Sequence, residues 1–202
     1  MKKTILTVQH TESQHHVNGM IGAWGDWELT QKGRAQAMKI GEWLLKEEKM
    51  NDYHMYVSDL KRAVQTAKEM NKSLQLTPEY RKDIREVNAG EGNGKPAEWY
   101  KENRIPRPDI YNPDYRSFED AESDRDLWNR LYPFYEEITS NSYEKIIIVS
   151  HGTALSFLHS MLFKDGFEHI RERRFKGSSG AVSKFIIESD GKVIIKYINH
   201  MV

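Results

Sequence analysis

Three stretches of this chain end a strand-like run on residues able to handle an anion. Thr4-Ile5-Leu6-Thr7-Val8 is β-branched and apolar, reads as a buried strand, and stops on Gln9-His10. Tyr53 to Val57 reads as a second strand and leads to Ser58, with Arg62 beyond it. Tyr143 to Val149, where Lys145 precedes Ile-Ile-Ile-Val, is the clearest strand and ends on Ser150-His151-Gly152. In open α/β folds ligands bind beyond the carboxyl ends of the strands, so His10, Arg62 and His151 are expected to meet there. Arg62 and Thr66 share one face of a predicted helix near its N-terminus, where free N–H groups and the positive dipole end favour phosphate. Two imidazoles, a guanidinium and a helix N-terminus suit a phosphoryl group better than a metal. Imidazole is a competent nucleophile toward phosphorus, and Arg grips phosphate oxygens in a fork. A second, cationic imidazole would stabilise the transition state. His10, His15 and His16 lack a further His or carboxylate at a supporting spacing, so neither a metal nor a cofactor is expected.

The elements that must position these groups alternate. After the His-rich, Gly-rich loop through Gly25, Thr30 is a plausible N-cap for a helix ending near Lys49, with Ala35, Met38, Ile40, Trp43, Leu44 and Leu45 as its apolar face. Asp59 or Ser58 is placed to cap a helix from about Leu60 to Lys72, and Leu74 to Thr77 suggests a third short strand. Asp83 to Val87 runs into the Gly-dense loop from Asn88 to Gly94. A helix from Glu122 to Asn141, another from Thr153 to about Phe163, and a hairpin of Ala181–Glu188 with Lys192–Asn199 complete the series. Strand alternating with helix predicts an α/β fold with three α/β/α layers, its central sheet mostly parallel and helices on both faces. Residues 1–202 read as one domain. Four of the six prolines and several aromatics fall between Lys95 and Asp120. That segment is expected to fold over the active site as a short cap or lid rather than to act as a linker.

Composition narrows the partners. Lys plus Arg equal Asp plus Glu at 30 each, so the 202-residue chain is formally neutral and nothing in its overall field draws nucleic acid or an anionic membrane. The chain has no cysteine, which removes disulfides, thiolate metal sites and a cysteine nucleophile. Met1-Lys2-Lys3 precedes too short an apolar run for a signal peptide, and no run approaches membrane-spanning length. A cytoplasmic protein acting on a small phosphorylated substrate is the expectation; a homodimer is compatible with it.

Read together, these motifs resemble the histidine phosphatases, the phosphoglycerate mutase-like superfamily. Gln9-His10-Thr11-Glu12-Ser13 is similar to that family's Arg-His-Gly-Glu-Ser/Thr opening, and Trp24, Asp26, Leu29, Thr30 and Gly33 follow its downstream pattern, with His16 where an Asn commonly sits. Ser58-Asp59-Leu60-Lys61-Arg62-Ala63-Val64-Gln65-Thr66-Ala67 is close to the second signature. Arg85-Glu86-Val87 with Gly90, Glu91 and Gly92 resembles the segment bearing the family's acid; Ala121-Glu122-Ser123 resembles its Gly-Glu-Ser, and Val149 to Gly152 its last His motif. The resemblance implies that His10 carries a transient phosphohistidine, with Arg62 and His151 on the phosphoryl oxygens. Glu86 would protonate the leaving oxygen and then activate water. Gln9, His16, Ser58, Gly152 and Thr153 would bind substrate.

Two departures stand out. Gln9 replaces the first Arg and offers one neutral donor in place of a charged fork. Because a charged hydrogen bond is worth about 1.5–3 kcal/mol and a neutral one about 0.5–1.5, this lowers the rate by roughly one or two orders of magnitude. At mildly acidic pH, His15 or His16 would restore the positive charge. Thr11 replaces Gly, which narrows the pocket or shifts its loop. In the insertion, Arg104, Arg107 and Arg116 with Tyr100, Tyr111 and Tyr115 would bind a second anionic or ring-bearing group. The expected activity is phosphomonoester hydrolysis. A phosphoglycerate mutase is the alternative isomerase, and a phosphoester-binding protein of attenuated or no activity the non-catalytic one.

Overall fold

The computed structural model describes residues 1–172 and 174–202. Its layers follow from period-two alternation in the strands. In β1 (Lys3–Gln9) Ile5 joins one apolar cluster, while Leu6 and Val8 join another. In β4 (Lys145–Ser150) Ile146 and Ile148 turn to the first cluster, Ile147 and Val149 to the second. All four are fully buried. A strand apolar on both faces needs a layer of helices on each side. α4 (Asp124–Ser140) and α5 (Gly152–Leu162) cover one face; α1 (Gln31–Glu47) and α2 (Lys61–Leu74) cover the other.

The sheet has six strands in the order β3-β2-β4-β1-β5-β6. β2 (His54–Ser58), β3 (Pro78–Arg81), β4 and β1 run parallel, while β5 (Val182–Ile187) and β6 (Val193–His200) form an antiparallel hairpin on the β1 side. β1 and β4 are neighbours whose following helices lie on opposite faces. The crevice therefore opens between their carboxyl ends, at the switch point of the topology. Gln9 pairs with Ser150 in that register, so the next residues, His10 and His151, leave the sheet side by side.

Several local expectations need correction. Ala35, Met38 and Leu45 of α1 are exposed; its buried stripe is Gly33, Ala37, Ile40, Gly41 and Leu44. The small residues are there because α1 lies close to its neighbours. A Cβ on Gly41 would stand 2.5 Å from the Met70 carbonyl oxygen, and one on Gly33 only 1.9 Å from that of Glu12. Neither Ser58 nor Asp59 caps α2: Leu60 occupies the cap position, Asp59 takes two hydrogen bonds from Arg85 at 2.5 and 2.7 Å, and the Ser58 hydroxyl faces His151. The third strand begins at Pro78 rather than Leu74, because Leu74 completes α2. Thr30 does cap α1, accepting from the Gly33 N–H at 3.0 Å.

The segment 95–120 contains a short helix, α3 (Ala97–Asn103), and rests on aromatic contacts among Trp99, Tyr100 and Phe118. It reaches the crevice through the loop after β1, the Lys95 carbonyl accepting from Ile21 N–H and the Gly19 carbonyl from Ala97 N–H, both at 2.8 Å. Among the described residues no helix is long and apolar enough to cross a membrane.

Candidate active site

His10 is the residue with its lone pair best defined. Its Nδ1 lies 2.9 Å from the Thr11 carbonyl, an acceptor only, so Nδ1 carries the proton and Nε2 the lone pair. Arg62 donates to that Nε2 from Nε at 3.1 Å. The other two guanidinium nitrogens donate to the carbonyls of Gly25 at 3.0 Å and Ala23 at 2.6 Å. Three of five N–H groups are thus held, and the remaining two are free for a ligand. Arg62 is only 1% exposed, yet no carboxylate among the described residues bonds it. Burial lowers its pKa to about 10, which leaves it cationic at neutral pH. A buried cation without a bonded anion is costly unless something arrives to neutralise it.

His151 stands across from His10 with ring centroids 5.1 Å apart. Its Nε2 meets the Ser58 hydroxyl at 2.7 Å, while its Nδ1 is fully buried without a hydrogen-bond partner. Ser58 is itself buried and orients His151; neither residue lines the cavity wall, His151 standing fully buried beside His10, which does. Gln9, His10, His15, His16, Arg62, Glu86, Gly152 and Thr153 do line it, around a volume of about 390 Å³. Gln9 fits because two glycines give it room: a Cβ on Gly177 would meet its Oε1 at 2.9 Å, and one on Gly152 its Nε2 at 3.3 Å.

Glu86 is fixed at the N-terminus of α5. Its carboxylate accepts from the backbone N–H of Thr153 at 3.0 Å, Ala154 at 3.1 Å and Val87 at 2.9 Å. Thr153 thus gives its amide to Glu86. The loop bearing Glu86 is tied from behind by Arg130, which bonds the carbonyls of Asp83, Arg85 and Glu86 at 2.9–3.0 Å and Glu122 at 2.6 and 2.7 Å. Glu122 in turn accepts from Asn88 N–H at 2.8 Å. Trp24 donates to the Glu86 carbonyl at 2.7 Å and lies under both Arg85 and Arg130.

The histidines are neutral in this pocket. Burial first, then the Arg62 charge, holds His10 and His151 well below the usual imidazole range and lowers His16. Burial, His16 and Arg62 together take His15 down to about 3. The buried positive charge beside these rings is therefore that of Arg62 rather than of an imidazole. Thr11 also differs from expectation. Its side chain turns under the loop, 3.3 Å from the Thr66 hydroxyl and beside Gly180, and does not enter the cavity.

His10, His15 and His16 bring one ring nitrogen each within 4.8 Å of the others, a spacing a metal ion accepts. Their hydrogen bonds favour an anion instead. The His10 lone pair already faces a guanidinium, and His16 Nδ1 accepts from Ser13 N–H at 3.1 Å, which leaves a protonated Nε2 as donor.

The sequence missed Gly22, Ala23, Ser156 and the run Arg174 to Gly177, all of which line the cavity. Arg174, Phe175 and Lys176 form a short basic-aromatic run that was visible but matched no motif. Arg104, Arg116 and Tyr100 do not gather at a common site: Arg116 pairs with Asp126 at 2.8 Å, and Tyr100 packs on Phe118.

Comparison with known proteins identifies the family and the fold. The family described as the histidine phosphatase superfamily (branch 1) matches residues 5–200. The 2,3-bisphosphoglycerate-dependent phosphoglycerate mutase of Bacteroides fragilis is 30% identical over 188 residues, covering 77% of this chain and 75% of that protein. The phosphoglycerate mutase-like protein 4 of Arabidopsis thaliana is 31% identical over 170 residues, covering 77% and 69%. Among solved structures, the alpha-ribazole phosphatase of Shigella flexneri superposes with a TM-score of 0.81 at 21% identity, covering 98% and 96% of the two chains. Mycobacterial hydrolase 1 gives 0.82 at 18% identity over the whole of both.

Proposed function

This chain belongs to the histidine phosphatase superfamily, branch 1, and from that premise we propose that it hydrolyses a small phosphomonoester through a phosphohistidine at His10. The observation that carries the proposal is a buried Arg62, bonded to no carboxylate among the described residues, on the oriented His10 lone pair, with His151 5.1 Å from the His10 ring and its Nδ1 unpartnered. A phosphoryl dianion is the ligand that satisfies all three at once.

Substrate phosphate displaces His10 Nε2 as acceptor of the Arg62 Nε–H and receives the two free guanidinium N–H groups. His151 Nδ1, His16 Nε2–H and the Gln9 amide complete the ring of contacts. The lone pair of His10 Nε2 attacks phosphorus as the P–O bond to the leaving group breaks, and Glu86 delivers the proton that the departing oxygen takes up. The resulting cationic phosphoimidazole keeps its Nδ1–H on the Thr11 carbonyl. Water then attacks phosphorus, Glu86 accepts its proton, the P–N bond breaks, and neutral His10 and inorganic phosphate return. An approaching dianion favours protonation of the imidazoles other than His10, so phosphate binding is accompanied by proton uptake.

Mutase activity is the second reading, supported by the names of the sequence relatives. Hydrolysis is favoured because no residue of 95–120 lines the cavity, which leaves the phosphohistidine within reach of water. Incubation with 3-phosphoglycerate, and separately with p-nitrophenyl phosphate, separates the readings. Hydrolysis predicts free phosphate from wild type and none from His10→Ala. Isomer without free phosphate establishes the mutase, and tight phosphate binding without turnover of any ester establishes the binding protein.

A further inference from the structure

A second cavity, of about 360 Å³, adjoins the catalytic one, and Arg174 lines both. Its walls include Arg107 and Arg171, Tyr111 and Tyr115, with Asp124 between. The single carboxylate is already engaged: Asp124 takes the guanidinium of Arg174 and the Tyr111 hydroxyl at 3.0 Å. Arg107 and Arg171 have no carboxylate partner among the described residues. Arg107 instead lies over the Tyr115 ring, 5.7 Å from its centroid. The ring is immobilised because its hydroxyl donates to the Ile105 carbonyl at 2.6 Å.

A solvated basic rim would spread its charges and pair them. Here two unpaired guanidinium groups and two anchored aromatic rings face one concavity, and a third arginine joins that concavity to the phosphoryl pocket. Planar forks beside rings recognise an oxyanion carried on a ring or chain. We infer that this second cavity binds an oxyanion on the leaving group, so that the substrate is a phosphomonoester bearing a second phosphate or carboxylate at its far end. The inference rests on the phosphatase reading for the chemistry but concerns a separate set of residues. Arg174 marks the path between the two anions, and Tyr111 and Tyr115 flank the connecting group.

The test is a ruler. α,ω-Alkanediol bisphosphates, ω-phosphoryloxy alkanoic acids and plain alkyl monophosphates of matched length are titrated calorimetrically into the His10→Ala protein, with and without Arg107→Ala and Arg171→Ala. At one chain length a doubly anionic probe is expected to bind about tenfold or more tighter than the monophosphate. The double variant abolishes that advantage and leaves the monophosphate affinity unchanged. The same two arginine changes, made in the wild-type background, leave kcat/KM on p-nitrophenyl phosphate unchanged. The terminal group with the larger advantage identifies phosphate or carboxylate. Equal affinity of all three series at every length overturns the inference, as does a variant that weakens all probes alike. Absence of turnover in the p-nitrophenyl phosphate assay counts against the phosphatase reading alone, since the titrations need none.

Discussion

The two neighbouring cavities are built in opposite ways. In the catalytic one the central groups sit at strand and helix ends and are buried: His10, Arg62 and His151 are each no more than 3% exposed, with Ser58 buried against His151. Every one of them is turned by a partner behind it. The second cavity draws mostly on exposed or half-buried side chains outside the sheet, Arg107, Tyr111, Tyr115, Arg171 and Arg174 among them, with Asp124 of α4 and the buried Ile170 completing it. Positions fixed by two packed layers suit bond breaking, where misplacement by an ångström is costly. Loop positions suit recognition of a variable leaving group. Among the described residues Arg174 alone belongs to both.

Variants of Arg62 challenge that contrast most strongly. Arg62→Met keeps the buried volume but removes the one buried cation among the described residues of the pocket; kcat/KM falls by about 10³-fold. Because the guanidinium has no bonded carboxylate and the Gly25 and Ala23 carbonyls it releases are half-buried and open to water, the melting temperature falls little by comparison. Equal losses of activity and stability would mean the arginine is a structural strut. Arg130→Met lies outside the cavity and acts through Glu86. It frees three carbonyls and Glu122, lowering kcat by about 10–100-fold with KM nearly unchanged, and costs about 1–3 kcal/mol in denaturant unfolding. Gln9→Arg works in the other direction, raising kcat/KM on an aryl phosphate about tenfold by supplying a charged fork beside Gly152 and Gly177.

The pH dependence of stability separates the pocket imidazoles from an ordinary buried one. His159, in the core behind β1, bonds Thr7 at 2.8 Å, has a buried unpartnered Nδ1, and is lowered to about 3 by burial alone. All these histidines have folded pKa values below the unfolded value, so below about pH 6.5 the unfolded chain binds more protons. Stability is therefore complete at neutral pH and falls on acidification, by about 1.4 kcal/mol per pH unit for each group, down to about pH 3 for His15 and His159. Saturating phosphate flattens the part owed to the pocket; His159→Leu removes a share that phosphate leaves untouched. Chemical denaturation between pH 4 and pH 7 measures both.

How much of this was legible in the chain depended on whether the determinant was local. β4 declared itself because four consecutive apolar residues permit little else, and Thr30 because its capping bond spans three residues. His10, Arg62 and His151 could be placed together because strand ends converge wherever strands run parallel. The faces of α1 could not be read, since Gly33 and Gly41 are set by the distant Glu12 and Met70 backbones that press on them. Arg130 escaped notice because its partners are backbone carbonyls far away in sequence. The neutrality of the histidines depends on burial around a shared cation, which only the folded chain creates. Thr11 looked like an obstruction until Thr66 and Gly180 gave its side chain a place outside the cavity.

The phosphohistidine itself is the most direct object to measure. The protein is mixed briefly with an aryl phosphate, quenched in base and digested, and the phosphopeptides are mapped. An acid-labile, base-stable phosphate on His10, formed and lost at rates matching turnover and lacking in His10→Ala, is the predicted result. Turnover with no such adduct, or label on another residue that survives the His10→Ala change, would contradict the account.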